Sequence, residues 1–340
     1  MGLIPMFYPG YQPVEDTKVR QKFEKAWGCQ LDPNRGLTVV EIMSNVLEGK
    51  IKAMFMMGEN PFLSDPNINK VKKALATMEF LVVQDIFLTE TAEFADVILP
   101  ASSFPEKEGT YTNTDRRVQL ARQAIKTPGQ ARPDWEILID LANRMGYPMK
   151  YKSPFDVFEE LRQLIPGYAG ITYERLEKPG GLVWPCPDEH HPGTPVLHLE
   201  QFPAGKGKLI PSEFVPAKEL PDVEYPFVLN TGRVLSQWHT GTMTRRAAAL
   251  NAIEPEPFVE MNPIDMEKLE VQDKEMVSVK SRRGEVTIKA RLSTKVQPGN
   301  VFIPFHYKEA AANLLTIDAL DPVAKIPEYK FCAIRIDKVH

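Results

Sequence analysis

Hydrophobic and polar positions follow two rhythms along the chain. In the first half, apolar residues recur at helical spacing between short continuous apolar runs. Val19, Phe23 and Trp27 share one face between Asp16 and Gly28, which predicts a helix capped by Asp16 and closed at Gly28. Thr38-x-x-Glu41 reads as a capping box ahead of Val39, Ile42, Met43, Val46 and Leu47. Asp65-Pro66 predicts the start of a helix with Val71 and Leu75 inside. Pro133-Asp134-Trp135 opens another, presenting Trp135, Leu138, Ala142 and Met145, and residues 154–164 form a further amphipathic helix. The run Ala53-Met-Phe-Met-Met57, bounded by Gly58, predicts a buried strand, and Phe80–Val83 and Asp96–Leu99 predict two more. Strands alternating with helices imply a doubly wound parallel sheet, whose ligand crevice lies at the C-terminal ends of its strands.

The rhythm changes after a stretch rich in proline and glycine, residues 166–222. Phe227-Val228-Leu229 reads as a strand. Val277 and Val279 alternate with polar neighbours, as do Val286, Ile288 and Ala290 after the Arg283-Gly284 turn. Val301–Pro304 and Phe331–Ile336 complete a set of short strands, and Asn262-Pro263 starts a short helix through Met266 and Leu269. Such strands suggest a barrel. The expected fold class is α/β: a parallel-sheet domain at 1–200, a linker at 201–222 and a β-barrel domain at 223–340. Residues 1–13, with Pro5, Pro9 and Pro13, read as an extended loop.

Composition narrows the function classes. The chain has 340 residues, 43% of them hydrophobic, enough for two cores. A net charge of −4 without a basic block gives no nucleic-acid signal. Cys29, Cys186 and Cys332 are far apart and form no CxxC, so no familiar iron–sulfur spacing or disulfide framework is present. No apolar run of ~18 residues predicts a membrane span. The N-terminus lacks the basic region of a signal peptide, and Met6 stands where myristoylation after Gly2 needs Ser or Thr. Cys186, His190 and His191 lack a second pair at ligand spacing, so the expectation there is a structural loop.

Candidate chemistry concentrates in Leu229–Arg246. Thr231, Gly232, Arg233, Ser236, Gln237, Trp238, His239 and Thr240 make a loop of donors and flat rings. Gly232 and Gly241 allow close backbone approach, and Arg233 offers a fork suited to phosphate. Spacing alone favours a polar loop capping a strand. Gly58, Glu59 and Asn60 follow the first predicted strand, and Gln84 and Asp85 follow the second. Asp85 could accept two hydrogen bonds from a guanine edge or simply cap a helix. Lys107, between Glu106 and Glu108, reads equally as a solvated lysine, and Phe305 as core. Arg116 and Arg117 suit loop-fixing ion pairs. Asp134 is an ordinary cap by spacing.

Four stretches resemble one family: TGRVLSQWHTGTMTRR, the GEN and QD strand ends, ADVILPASSFPEKEGTYTNTDRRVQ, and NLLTIDALDPVAKIPEYKFCA. They are similar to blocks of the molybdenum oxidoreductases of the dimethyl sulfoxide reductase family. MGLIPMFYPGYQPV resembles a stretch from the middle of a formate dehydrogenase large subunit. The resemblance implies a C-terminal double-psi β-barrel and the C-terminal half of a formate dehydrogenase catalytic subunit. It implies bis-molybdopterin guanine dinucleotide with molybdenum or tungsten. Gly58, Glu59, Asn60, Gln84 and Asp85 would contact the guanine dinucleotide, Lys107 the cofactor and Asp134 its guanosine. The Leu229–Arg246 loop, Phe305, Asn313 and Lys330 would meet pterin or phosphates. No catalytic residue is implied here; the metal ligand and a 4Fe-4S cluster would sit on an N-terminal half, which would be a partner, with electron-transfer subunits. The expected location is cytoplasmic. Alternatives are a nitrate reductase-type relative and a non-catalytic molybdopterin-binding or assembly subunit.

Overall fold

The structure is a computed structural model and describes residues 4–339. The expectation about Gly2 falls on residues 1–3, outside the described residues. In chain order the strands begin with β1 (Phe7–Tyr8), β2 (Gln12–Pro13), β3 (Ala53–Met57), β4 (Phe80–Asp85), β5 (Val97–Pro100), β6 (Gly109–Thr112), β7 (Arg117–Ala121) and β8 (Leu182–Val183). They continue with β9 (Phe227–Gly232), β10 (Phe258–Met261), β11 (Met276–Lys280), β12 (Glu285–Leu292), β13 (Asn300–Pro304) and β14 (Cys332–Lys338). The chain packs as two compact units, Met1–Thr38 with Leu99–Ser212, and Val39–Ile98 with Glu213–His340. Residues 39–98 therefore share a unit with the barrel strands.

In the first unit, the opening segment is closed by the β1–β2 hairpin rather than being loop throughout. The helix Thr17–Trp27 is capped as expected. The Asp16 carboxylate accepts from the backbone amides of Lys18 at 2.8 Å and Val19 at 3.1 Å, and Gly28 ends the helix in the left-handed region. Buried Phe23 packs its ring against Tyr8 and Trp27. Residues 109–121 form the antiparallel pair β6–β7, with β8 beside β7. Val118, Phe158, Ile165, Ile171 and Cys186 form one core. Arg116 fixes that core's loops through carbonyls rather than an ion pair, donating to Thr194 and Pro195 at 2.9 Å each. Arg117 does pair with Asp115, at 3.3 Å.

Two helix expectations need correction here. The helix Asp134–Arg144 begins with Asp134 as its first turn; Pro133 holds the cap position, and the Asp134 carboxylate pairs with Lys107 instead. Its buried residue is Ile137, whereas Met145, expected on the apolar face, is 77% exposed beyond the helix end.

In the second unit, β3, β4 and β5 form a three-stranded sheet, with β3 and β4 parallel. The helices Val39–Leu47 and Ile68–Thr77 pack on one face through Met43, Val46, Val71, Ala74 and Leu75, against Met56, Leu81 and Val83. The second helix starts at Ile68 and not at Asp65-Pro66. A one-turn helix, Pro61–Ser64, intervenes, and Asn67, at φ +56°, supplies the cap by accepting from the Lys70 amide. β3 is not the buried strand its apolar run suggested. Met56 alone is buried, while Phe55, Met57 and, on β4, Phe80 stand exposed on the opposite face. Apolarity of both faces set the expectation, but helices cover just one.

The barrel closes in the order β10-β12-β11-β14-β9-β13, with two parallel pairs, β10–β12 and β9–β13. β10 is the strand that alternation missed. Leu229, Met261, Val277, Val279, Ile288, Val301, Ile303 and Ile334 fill the interior. Outside it, Glu219, in the expected linker, is held by Arg283 at 2.5 Å and Arg282 at 3.0 Å and accepts from the Ala333 amide. A second apolar cluster of Leu63, Ile68 and Ala311, with Phe62 and Leu314, joins the helical segment to a barrel loop.

Candidate functional site

The site lies where the turn after β3 meets the barrel loops after β9 and β13, all within the second unit. Gly58 takes φ +64° and donates to the Gln84 carbonyl at 2.9 Å, turning the chain from β3 into Glu59 and Asn60. Asn60 is a buried junction. Its amide donates to Glu90 at 2.9 Å and to Thr242 at 3.2 Å, and its carbonyl accepts from the Thr91 hydroxyl at 2.7 Å. Gln84 is fully buried at the end of β4. The Asp85 carboxylate accepts from the Phe87 amide at 3.0 Å, a contact within a turn and not the helix cap of the simpler reading. Desolvation and the neighbouring Asp85 charge push the Glu59 acid upward.

On the barrel side, the Thr231 hydroxyl donates to the Tyr329 carbonyl at 2.7 Å, and the Phe305 amide donates to the Gly232 carbonyl at 3.1 Å. A β-carbon at Gly232 would meet the Phe302 ring at 2.7 Å, so this strand end admits glycine for packing. The exposed Arg233 guanidinium lies 2.9 Å from the His239 ring nitrogen and faces the rings of Trp238 at 5.1 Å and Phe305 at 5.9 Å. The His239 basicity is lowered by desolvation and then by Arg233. Gln237 is used structurally, donating to the Leu250 carbonyl and accepting from Thr244 at 2.6 Å. The Ser236 hydroxyl is buried without a partner.

These loops enclose a cavity of about 470 Å³. Eight sequence candidates line it: Glu59, Gly232, Arg233, His239, Thr240, Phe305, Asn313 and Lys330. Gly58, Asn60, Gln84, Asp85, Thr231, Ser236, Gln237 and Trp238 are not in its wall. Lys107 and Asp134 pair with each other in the first unit. Ser64, Asp65 and Tyr329 also line the cavity, and residue patterns passed over them. Asp65-Pro66 carried a helix-start signal, which masked it. Tyr329 lies inside the PEYK stretch, where its residue type alone signals no role.

A second cleft of about 430 Å³ shares Thr240 and is lined by Glu90, Thr242, Arg245, His306 and Lys308. Its cations are largely matched: Arg245 grips Glu309 at 2.5 and 2.9 Å, and Lys308 pairs with Glu90 at 3.1 Å. Among the described residues no group of three or more His, Cys, Asp or Glu side chains could hold a metal ion. All three cysteines are free, and among the described residues no helix is long and apolar enough to cross a membrane.

A mixed-charge cavity beside glycine-bearing strand ends, with aromatic faces and an arginine–lysine pair, suits a flat ring joined to phosphates. Comparison with known proteins agrees with that class. Residues 227–333 match the family described as "Molydopterin dinucleotide binding domain", and residues 20–144 match "Molybdopterin oxidoreductase". The chain belongs to the molybdopterin oxidoreductase family. It is 50% identical over its whole length to the F420-dependent formate dehydrogenase subunit alpha of Methanocaldococcus jannaschii, of which it covers 50%. It is 43% identical over 96% of its length to the assimilatory nitrate reductase catalytic subunit of Bacillus subtilis, covering 48% of that protein. It is 38% identical over its whole length to formate dehydrogenase H of Escherichia coli, again covering 48%. The chain thus spans about half the length of the curated relatives it matches. The acetylene hydratase from Pelobacter acetylenicus shares the fold, with a TM-score of 0.68 over 94% of this chain and 50% of that one, at 18% identity.

Proposed function

We propose that this chain is the cofactor-clamping part of a formate-oxidising molybdenum or tungsten enzyme. The observation that carries the reading is the 470 Å³ cavity, where eight candidates from four separate stretches of chain converge. The group it would hold is bis-molybdopterin guanine dinucleotide, which when bound supplies the two-electron step between formate and carbon dioxide. The residues present fit such a group. Arg233 and Lys330 would face its phosphates, Phe305 its ring system, and the bare backbone at Gly232 would allow close approach. Asp85 would accept from a guanine edge, Asp134 would contact guanosine, and Lys107 would contact the cofactor.

In this reading residues 1–200 carry the α/β part, 201–222 link, and 223–340 carry the barrel part. The metal ligand and a 4Fe-4S cluster would belong to the N-terminal half of the same catalytic subunit, with electron-transfer subunits beyond it and a cytoplasmic setting. The exposed apolar face of β3 and β4, Phe55, Met57 and Phe80, supports such a partner. The match to a nitrate reductase catalytic subunit favours nitrate as the second reading. The test is formate oxidation with an artificial acceptor by this chain co-produced with that other half. Turnover of formate and not nitrate supports the proposal. Nitrate reduction alone overturns it for the second reading.

A further inference from the structure

Asp65 is the group in this cavity that the surroundings leave unanswered. It closes the one-turn helix Pro61–Ser64, its amide donating to the Pro61 carbonyl at 3.1 Å. The side chain is 4% exposed, and one carboxyl oxygen accepts from the Ser64 hydroxyl at 3.3 Å. The other oxygen is buried with no partner. Among the described residues no lysine or arginine lies within ion-pair distance, and the nearby charge, Glu59, has the same sign. A buried carboxylate in that state carries a large desolvation cost unless something donates to it.

The cavity restricts what the donor can be. Phe305 and Tyr329 give the wall flat apolar surfaces beside Asp65. Arg233 and Lys330 already bring positive charge elsewhere on the wall. A planar ring carrying two adjacent N–H groups matches a carboxylate, whose lone pairs exceed what Ser64 uses. We propose that Asp65 is a specificity determinant of the cavity, pairing with the amino-and-imide edge of a 2-amino-4-oxopyrimidine ring. Guanine and pterin share that edge. The proposal rests on the reading that the cavity takes a pterin dinucleotide. It differs from the guanine role given to Asp85, which caps the Phe87 turn and is not in the cavity wall.

The test is calorimetric titration of the full 340-residue chain. The probes are guanosine diphosphate against inosine diphosphate, and pterin against lumazine; the second member of each pair lacks the amino group. The expected result is at least tenfold preference for the amino-bearing member of one pair, lost in Asp65→Asn and in Asp65→Ser. Discrimination within the purine pair assigns the guanine end, and within the pteridine pair the pterin end. Binding of both members equally by the native chain, or unchanged discrimination in folded Asp65→Asn, overturns the role of Asp65 and leaves the cavity reading standing. No binding of any probe by the native chain overturns both.

Discussion

Asn313 donates its side-chain amide to the Leu63 carbonyl at 2.8 Å, bridging 250 residues of sequence. The same amide reaches the Ser64 carbonyl at 3.3 Å, and its own oxygen accepts from the Thr316 hydroxyl at 3.1 Å. One buried side chain thus ties a barrel loop to the turn that carries Ser64 and Asp65, two walls of the cavity. The Leu63, Ile68 and Ala311 cluster packs beside it.

Replacing Asn313 with alanine leaves the Leu63 carbonyl buried and short of its donor. A loss of about 1–3 kcal/mol in stability is expected. Chemical denaturation followed by tryptophan fluorescence should show an earlier unfolding midpoint for Asn313→Ala. An unchanged midpoint would mean the bridge adds nothing.

Asp65 gives a pH signature. Burial pushes its acid up to about 7, with Glu59 adding to the rise against the Ser64 hydrogen bond. The native state therefore binds more protons than the unfolded chain between the ordinary carboxylate range and about pH 7. Stability from this group is full below that window, falls as pH rises through it, and is level above it. Asp65→Asn removes the penalty, so its melting temperature should exceed that of the native chain most at pH 8 and converge with it near pH 4. A gap that widens toward acid would contradict the buried, unpaired carboxyl.

Local signals are legible in the sequence, and signals that depend on distant neighbours are not. Asp16 and Gly28 delimit their helix because capping involves residues two to four apart. The alternating barrel strands were visible for the same reason, as in Val277 and Val279 on β11. Asp65-Pro66 misled because the left-handed Asn67 caps that helix instead. Asp134 misled because a distant lysine, Lys107, takes its carboxylate. The exposure of β3 depends on what covers the sheet's other face, which five apolar letters cannot state. The candidate cavity was partly legible through the Thr231–Thr240 loop. Asp65 and Tyr329 enter its wall through long-range folding alone.

Glu219 anchors the segment expected as linker. It is 8% exposed, with Arg282, Arg283 and the Ala333 amide all converging on it. Removing one partner of such a buried network strands the others, at about 3–5 kcal/mol. Glu219→Ala should lower the denaturation midpoint markedly, whereas Glu200→Ala, at an exposed position, should shift it by less than about 0.5 kcal/mol. Equal effects would show that the network is not a special anchor.

The exposed face of β3 and β4 should mark where the other half of the enzyme packs. Phe55→Asp combined with Phe80→Asp should leave the isolated chain folded, because neither side chain belongs to the core under the helices. Co-purification with a tagged polypeptide matching the relatives' other half should fall more than tenfold. Undiminished recovery would place the contact elsewhere.

The most direct measurement is the cofactor content of the complex between this chain and that other half. Guanine nucleotide released by acid should be found at about two per molybdenum or tungsten atom, the ratio that defines a bis-dinucleotide group. Losing a charge-assisted phosphate contact typically costs about 2–5 kcal/mol. Arg233→Ala should therefore lower nucleotide and metal together, at least tenfold, while the apo chain melts as before. A complex that holds metal without guanine nucleotide, or full occupancy in Arg233→Ala, would contradict the clamping role.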